Sequence, residues 1–121
     1  MTAPSTESPD PATTCRQMLR RCRIATLATV ERDSGGWPYA SLVQIATAHD
    51  ASPLLLLSDL ADHTKNFLQD DRVSLMLDEA RDLPTPLTGA RVTLQGRISK
   101  LGDSAHDQRL KARYLARHPD A

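Results

Sequence analysis

The sequence has no excess of charge and no long apolar run, and both absences exclude classes of protein. Fifteen basic residues balance fifteen acidic ones, so no net field attracts the chain to nucleic acid or to an anionic membrane. No apolar run approaches the roughly 20 residues that span a bilayer. The opening MTAPSTESPDPATT is polar and rich in proline, unlike a secretory signal. We therefore expect neither a nucleic-acid partner nor a membrane partner.

Cysteine is also scarce, since Cys15 and Cys22 are the only two in the chain. Both stand on one predicted helix, where a separation of seven residues at 1.5 Å each puts their Cα atoms about 10 Å apart. That distance exceeds the reach of a disulfide. Without a CxxC pair or a Cys/His cluster at ligand spacing, no metal site is predicted. Reduced thiols and the lack of an export signal indicate a cytoplasmic protein.

One dense basic run, RQMLRRCR from Arg16 to Arg23, is present. Met18, Leu19 and Cys22 recur within it at helical spacing, which predicts an amphipathic helix capped by a preceding threonine, Thr13 or Thr14. We interpret its arginines as the solvent-facing side of this helix. Contact with nucleic acid is the alternative interpretation.

The length of 121 residues is that of one domain. We expect residues 1–12 to be a disordered tail, because proline and polar residues there offer little surface to bury. Residues 13–121 then form the domain.

Alternating apolar and polar residues predict strands over most of that domain. Five strands are expected, at 24–30, 39–47, 54–57, 72–77 and 90–101. The DSGG stretch at 33–36 predicts a hairpin turn, and Gly96 predicts a bulge or bend in the fifth strand. Both faces of the second strand are only half polar, so both are expected to be covered. Five antiparallel strands with few helices favour a barrel, since closure removes exposed edges.

A dense set of hydrogen-bonding side chains follows the leucine run, in LLLLSDLADHTKN. We predict a helix over 59–69 whose first turn is capped or charged by an aspartate, Asp59 or Asp62. A helix N-terminus presents unpaired N–H groups, and Ser58, Thr64 and Lys65 add two hydroxyls and a cation, which suits a phosphate monoester. An ordinary capped surface helix with a solvated lysine is the alternative.

The usual catalytic signatures are absent: the sequence contains no GxSxG, GxxxxGK[ST], GxGxxG or HExxH. No catalytic acid or base is therefore predicted. The candidate site residues are therefore residues that would bind a ligand.

Four segments occur in the order ATLATV, GGWPYASLVQIA, LLLLSDLADHTKNFLQDDRVSLML and ARVTLQGRI. This order resembles the FMN-binding split-barrel family related to pyridoxamine 5'-phosphate oxidase. It is most similar to the haem-utilisation (HugZ-type) branch, in which PYAS, S.LA.HT.N and D.RVSLL recur in that order. The resemblance covers about residues 15–121.

The resemblance implies a mainly β fold with flanking helices, an antiparallel split β-barrel. It implies an FMN-binding flavoprotein, an oxidoreductase with a small-molecule substrate, that forms a homodimer with FMN at the interface. The second strand would lie beside the flavin ring, the start of the following helix would hold the phosphate, and the fifth strand would offer a side chain to the flavin. The positions that match these segments are Tyr39, Ala40, Ser41 and Leu42 for the ring, Ser58, His63, Thr64 and Lys65 for the phosphate, and Arg91 or its neighbour Gln95 for the fifth strand.

The chain departs from the oxidases in three respects. His63-Thr64-Lys65 stands where they have Ser-Arg-Lys, so an arginine is missing. Their C-terminal signature of Trp, Arg and His has no counterpart, so oxidation of pyridoxine phosphate itself is not expected. The family also continues past ARYLARHPDA into a further strand, so the chain is expected to be a C-terminally truncated barrel, either a fragment or a shortened homologue.

Two alternatives to an FMN oxidoreductase follow from the same resemblance. One is a haem-binding or haem-degrading protein of the HugZ type, with His118 as a candidate ligand, although His49, His106 and His118 are each expected at the surface. The other is a non-catalytic flavin-binding stress module. Trp37 is expected to pack in the core or at a dimer interface rather than on the flavin.

Overall fold

The computed structural model of the chain describes residues 10–80 and 83–121. The described residues form three helices, six strands and one short 3₁₀ turn. In chain order they are α1 (Pro11–Arg21), β1 (Ile24–Val30), β2 (Pro38–Gln44), β3 (Ala46–Thr47), β4 (Pro53–Leu54), α2 (Asp62–Gln69), β5 (Arg72–Asp78), the 3₁₀ turn (Pro86–Thr88), β6 (Arg91–Arg97) and α3 (Ala105–Arg117).

Helix α1 begins earlier than predicted. Asp10, rather than Thr13 or Thr14, caps it by accepting a hydrogen bond from the Thr13 backbone N–H, and proline suits the first helical position. Residues 11 and 12 are therefore helical, and most of the predicted tail, residues 1–9, lies outside the described residues.

The strands form one four-stranded antiparallel sheet in the order β2-β1-β5-β6 and a separate two-stranded ribbon of β3 and β4. The ribbon and the larger sheet are not joined into a closed cylinder, so the fold is the expected split barrel with flanking helices. The β1–β2 hairpin turns where predicted, with Asp33, Gly35 and Gly36 all at positive φ.

The predicted second and third strands are shorter than expected. The second ends at Gln44, and the Ile45 N–H makes one last bond in the register of the β1–β2 ladder, to the Arg23 carbonyl oxygen 2.9 Å away. Ala46 and Thr47 then pair with β4 instead of β1, as β3. Of the predicted third strand only Leu54 is in β4, and Leu56 is 56% exposed. A continuous strand over 54–57 was a wrong prediction, since an apolar run has no periodicity that separates strand from other structure.

The bulge predicted at Gly96 was also wrong. Gly96 lies directly opposite Val73 in a ladder that runs without interruption from the Arg72–Arg97 pair to the Asp78–Arg91 pair. A Cβ at this position would meet nothing within 4 Å, so the glycine is not required by close approach either.

One face of the large sheet forms the core. Leu27, Val43, Leu75 and Leu77 project from it, and α1 covers them with Met18 and Leu19. All are at most 5% exposed. Periodicity therefore correctly predicted the buried stripe of α1.

The opposite face of the sheet, here called the open face, is uncovered in the single chain. Two rows cross it from β2 to β6: Leu42, Thr26, Met76 and Thr93; and Ala40, Ala28, Ser74 and Gln95. Leu42 is 64% exposed and Met76 is 38% exposed. The expectation that both faces of the second strand are covered is therefore wrong for one chain.

The arginines at the ends of α1 and α3 cap one another's helices. Arg117 donates to the carbonyl oxygens of Arg20, Arg21 and Cys22 at 2.7–3.0 Å, and Arg23 donates to the Arg117 carbonyl oxygen at 3.4 Å. Burial and the nearby Arg23 lower the pKa of Arg117. Arg117 and Arg23 therefore have a structural role, because cations are favourable at helix C-termini.

Both cysteines are free thiols. Burial, with the charge of nearby Glu79, raises the pKa of Cys22. In the described parts of the chain, no helix has the length and apolar character needed to cross a bilayer.

Helix α2 is fixed to the end of β1 by a buried amide. Asn66 is completely buried, and its Nδ2 donates to Thr29 Oγ1 at 3.1 Å. Its Oδ1 accepts from both the backbone N–H and the Nη1 of Arg32, at 3.0 and 3.1 Å. Because Thr29 lies on the core side of β1, these bonds set the position of α2 on that side of the sheet.

We predict that Asn66→Ala destabilises the chain by about 2–3 kcal/mol, because buried partners lose their hydrogen bonds. Urea denaturation measures the loss. Gln69→Ala is the matched control, since its amide bonds Asp33 in the same hairpin but is exposed. The control is expected to change stability by no more than about 0.5 kcal/mol. Equal losses of unfolding free energy in the two variants would show that the buried hydrogen bonds of Asn66 stabilise the chain no more than the exposed ones of Gln69.

Candidate functional site

The first turn of α2 lacks the predicted aspartate cap. Its N-cap is Ala61, with no side-chain hydrogen bond, while Asp62 lies inside the first turn and charges it. Ser58 Oγ instead accepts from the Leu60 N–H at 3.2 Å. The first N–H groups of a helix have no acceptor within it, so this turn presents uncapped donors.

Two polar atoms in this turn are buried without a partner, Thr64 Oγ1 and His63 Nε2. Thr64 is only 1% exposed. Buried polar atoms are nearly always hydrogen-bonded, and an unpaired one costs about 1–3 kcal/mol. Two such atoms in adjacent residues mark a turn whose hydrogen bonding is incomplete in the free chain.

The charge around the turn is mixed but positive on balance. Lys65 is exposed and forms no ion pair with the described residues. Asp62 is paired with Arg32, whose Nη2 lies 3.1 Å from Asp62 Oδ1. Two cations against one carboxylate leave an excess of one positive charge beside the uncapped donors.

The open face holds four of the predicted site residues. Ala40 and Leu42 lie at its β2 edge, and Arg91 and Gln95 lie at its β6 edge. Gln95 Nε2 donates to Ser74 Oγ at 3.3 Å, and both edges are exposed. The face is therefore apolar near β2 and hydrogen-bonding near β6, which suits one side of a ring system with polar substituents.

Tyr39 and Ser41 belong to the other side of β2. They lie opposite Thr29 and Leu27, on the face that forms the core, and both are half-buried. Thr29 is also the residue that Asn66 of α2 contacts. The structure thus divides the predicted site residues among the open face, the core side of β2 and the first turn of α2.

His118 is buried rather than at the surface, so its expected placement was wrong. It is 7% exposed, and its Nε2 lies 2.6 Å from the Ile45 carbonyl oxygen. A carbonyl can only accept, so Nε2 carries the proton of this bond and is not free to bind a metal. The surface placement of His49 and His106 is confirmed, whereas Trp37 is 70% exposed and is not part of the core.

Sequence reasoning missed Arg32 and Asn66. Arg32 lies in the β1–β2 hairpin, 30 residues before its partner Asp62, and no local pattern connects two such positions. Asn66 was recognised only as one polar residue of the segment LLLLSDLADHTKN, and no local pattern indicated that its amide is buried.

No three His, Cys, Asp or Glu side chains among residues 10–80 and 83–121 converge in a way that would hold a metal ion. The described geometry therefore consists of an uncapped helix turn with unpaired polar atoms and an uncovered sheet face. Both are features of a binding site rather than of a preformed catalytic group.

The chain is similar to a known protein family. Residues 6–121 match the family described as "CREG, beta-barrel". The chain is 36% identical over 111 residues to the non-canonical heme oxygenase HOZ, chloroplastic, of Arabidopsis thaliana, covering 92% of this chain and 33% of that protein.

Two solved structures share the fold. The heme-binding protein from Mycobacterium smegmatis has a TM-score of 0.79 and 29% identity, covering 92% of this chain and 44% of that one. A FAD-binding protein from Mesorhizobium loti has a TM-score of 0.71 and 21% identity, covering 92% of this chain and 77% of that one, a likeness of fold alone.

The chain spans only a third of the Arabidopsis relative and less than half of the mycobacterial one. The family match nevertheless extends over nearly all of its residues, and the neighbours include proteins named for haem and for flavin binding. These findings confirm the resemblance to the split-barrel flavoproteins and their haem-utilisation branch. This chain belongs to the CREG β-barrel family.

Proposed function

We propose that this chain binds FMN and acts as a subunit of an FMN-dependent oxidoreductase. The observation that supports FMN is the first turn of α2, where Thr64 Oγ1 and His63 Nε2 are buried without partners beside uncapped N–H groups. A phosphate monoester brings the acceptor oxygens and the negative charge that this turn and Lys65 favour.

The ring of the cofactor would lie against the open face. Because α2 bonds the β1–β2 hairpin, the phosphate would be held at the hairpin end of the sheet, and the cofactor would pass around this end to reach the open face. When bound, the flavin supplies the electron transfer, while the chain binds and orients it. Ala40 and Leu42 offer apolar contact, and Arg91 and Gln95 offer hydrogen bonds. The two pairs occupy opposite edges of the sheet, three interstrand spacings or about 14 Å apart. This separation favours a cofactor held between two copies, with β2 of one and β6 of the other.

Homodimerisation through the open face is therefore part of the proposal. Leu42 and Met76 leave apolar surface in water, and large exposed apolar patches on a protein surface commonly mark interfaces. A second copy would cover this surface and exclude water from the ring. Trp37, which precedes Pro38 at the edge of the same face, would then lie near the interface.

A titration of the purified chain with FMN tests this function. Flavin absorbance that stays with the protein through gel filtration, with quenching of Trp37 fluorescence, is expected. A chain that retains no flavin and shows no quenching would contradict the proposal. Reduction of bound flavin by NADH or NADPH separates an oxidoreductase from a non-catalytic flavin-binding module, which would bind FMN without being reduced.

Haem is the second candidate cofactor, and the names of two relatives favour it. The Arabidopsis relative is a heme oxygenase and the mycobacterial structure is a heme-binding protein. On the open face, Arg91 lies opposite Asp78 but forms no ion pair with a described residue, so its guanidinium would suit a propionate. Arg72 is less available to a propionate, because its guanidinium already donates two hydrogen bonds to Asp70. These bonds lower the pKa of the Asp70 carboxyl to about 2.

A haemin titration under the same conditions distinguishes the two cofactors. A Soret shift without FMN binding would replace the first proposal by the second. Because His118 Nε2 is used in a backbone hydrogen bond, any Soret shift is expected to persist in His118→Ala provided that this variant folds. Loss of the shift in a folded His118→Ala protein would instead identify His118 as a ligand.

Lys65→Ala is expected to weaken FMN binding by about 1–2 kcal/mol, the scale of a charge-assisted hydrogen bond to phosphate. Fluorescence titration measures the change. Lys111→Ala is the control, because Lys111 is paired with Asp103 beside α3 and lies outside the proposed site. Equal affinity in wild type and Lys65→Ala would place the phosphate elsewhere.

Thr64→Val is expected to have opposite effects on stability and on binding. Removing a buried hydroxyl that has no partner should stabilise the free chain by about 1 kcal/mol. The same change should weaken FMN binding, because the hydroxyl no longer donates to phosphate. Urea denaturation and FMN titration measure the two effects, and a destabilised Thr64→Val chain would show that the hydroxyl has a structural partner.

Leu42→Arg is expected to dissociate the proposed dimer, because it puts a charge in the apolar part of the open face. Sedimentation velocity measures the mass. The control is Leu68→Arg, which changes an equally exposed leucine on α2, outside the open face. A wild-type monomer, or a Leu42→Arg dimer, would contradict an interface on this face.

A further inference from the structure

We propose that Arg32 binds the phosphate group directly and that Asp62 competes with the phosphate for it. This inference rests on the proposed FMN function and adds two residues to its site. Arg32 belongs to the β1–β2 hairpin, yet its guanidinium lies against the first turn of α2. Its Nη2 is 3.1 Å from Asp62 Oδ1, and its Nη1 is 3.5 Å from the Asp62 carbonyl oxygen.

The base of the Arg32 side chain is held in place while its end is accessible. Asn66 Oδ1 accepts from both the Arg32 backbone N–H and Nη1, and Asn66 is completely buried. At the other end the Arg32 and Asp62 side chains are 35% and 57% exposed. The guanidinium is therefore preorganised beside the uncapped turn, so little conformational entropy is lost when it binds an anion.

Arg32 also has hydrogen-bond donors that are not used within the chain. A guanidinium has five N–H groups, and the described bonds of Arg32 use Nη1 and Nη2 but not Nε. The remaining groups can meet a phosphate oxygen without breaking the Asn66 contact. These groups and the unpartnered Thr64 Oγ1, in the first turn of α2, would surround a single anion.

Asp62 opposes that anion in two ways. Its carboxylate repels a phosphate at the same turn, and it occupies one of the donors of Arg32. An exposed ion pair of this kind is weak, and a phosphate carries more charge and more acceptor oxygens than a carboxylate. Bound phosphate would therefore displace Asp62 from Arg32.

A purely structural role for the pair makes a different prediction. If Arg32 and Asp62 only hold the hairpin to α2, removing either partner loosens the same turn and weakens binding. If Asp62 competes with phosphate, Asp62→Asn strengthens binding while Arg32→Gln weakens it. The sign of the Asp62→Asn effect separates the two accounts.

The experiment compares FMN with riboflavin, which has the same ring and ribityl chain but no phosphate. Arg32→Gln is expected to weaken FMN binding about tenfold, the scale of one charge-assisted hydrogen bond, and to leave riboflavin binding within about twofold. Asp62→Asn is expected to strengthen FMN binding about threefold and to leave riboflavin unchanged. Arg32→Lys, which keeps the charge, should recover part of the lost affinity.

Arg21→Gln is the matched control, because Arg21 is also an exposed arginine paired with a carboxylate, Glu79, but on α1. It is expected to change neither affinity. Equal losses for FMN and riboflavin in folded Arg32→Gln, or weaker FMN binding in Asp62→Asn, would overturn this inference alone. A wild-type chain that binds no flavin would overturn the proposed function and this inference with it.

Discussion

The hydrogen bonds of Asn66 are the constraint on which the candidate site depends. One buried amide connects Thr29 in β1, Arg32 in the hairpin and α2 itself. The other bonds between α2 and the hairpin, those of Asp62 with Arg32 and of Gln69 with Asp33, are exposed, so the buried amide is the strongest of these connections. Because both the oxygen and the nitrogen of the amide are hydrogen-bonded, the helix, the hairpin and the guanidinium of Arg32 are fixed relative to one another. The unpaired polar atoms of Thr64 and His63 are thereby held where a ligand can bond them.

The second constraint is the sheet, which has apolar residues on both faces but only one covering helix layer. Helix α1 fills the core face with Met18 and Leu19. Helix α3 instead packs beside β3, where Tyr114 contacts the ribbon and His118 bonds the Ile45 carbonyl oxygen. Its Arg117 bonds the end of α1. No described element is left to cover Leu42 and Met76, so the open face is available to a cofactor and a second copy of the chain.

Local patterns predicted the parts of this fold that depend on near neighbours. The boundaries of β1 and β5 and the hairpin at 33–36 follow from periodicity or turn chemistry. The errors arose where long-range contacts decide. The second strand stops pairing with β1 after Ile45 and continues as β3 beside β4, only Leu54 of the leucine run pairs as a strand, and Gly96 fits an ordinary ladder. The same limit applies to the site, since the segment beginning at Ser58 was identified locally, whereas Arg32 reaches it across the fold.

The central claim is that the open face and the first turn of α2 form one cofactor site. Mapping of backbone amide shifts by NMR as FMN is added tests it most directly, because it needs neither activity nor a variant. We expect shifts at Ala40, Leu42 and Gln95 on the open face, at Arg32 in the hairpin, and in the first turn of α2, including Thr64. Shifts centred on α1 and α3, or no saturable shifts at all, would contradict it.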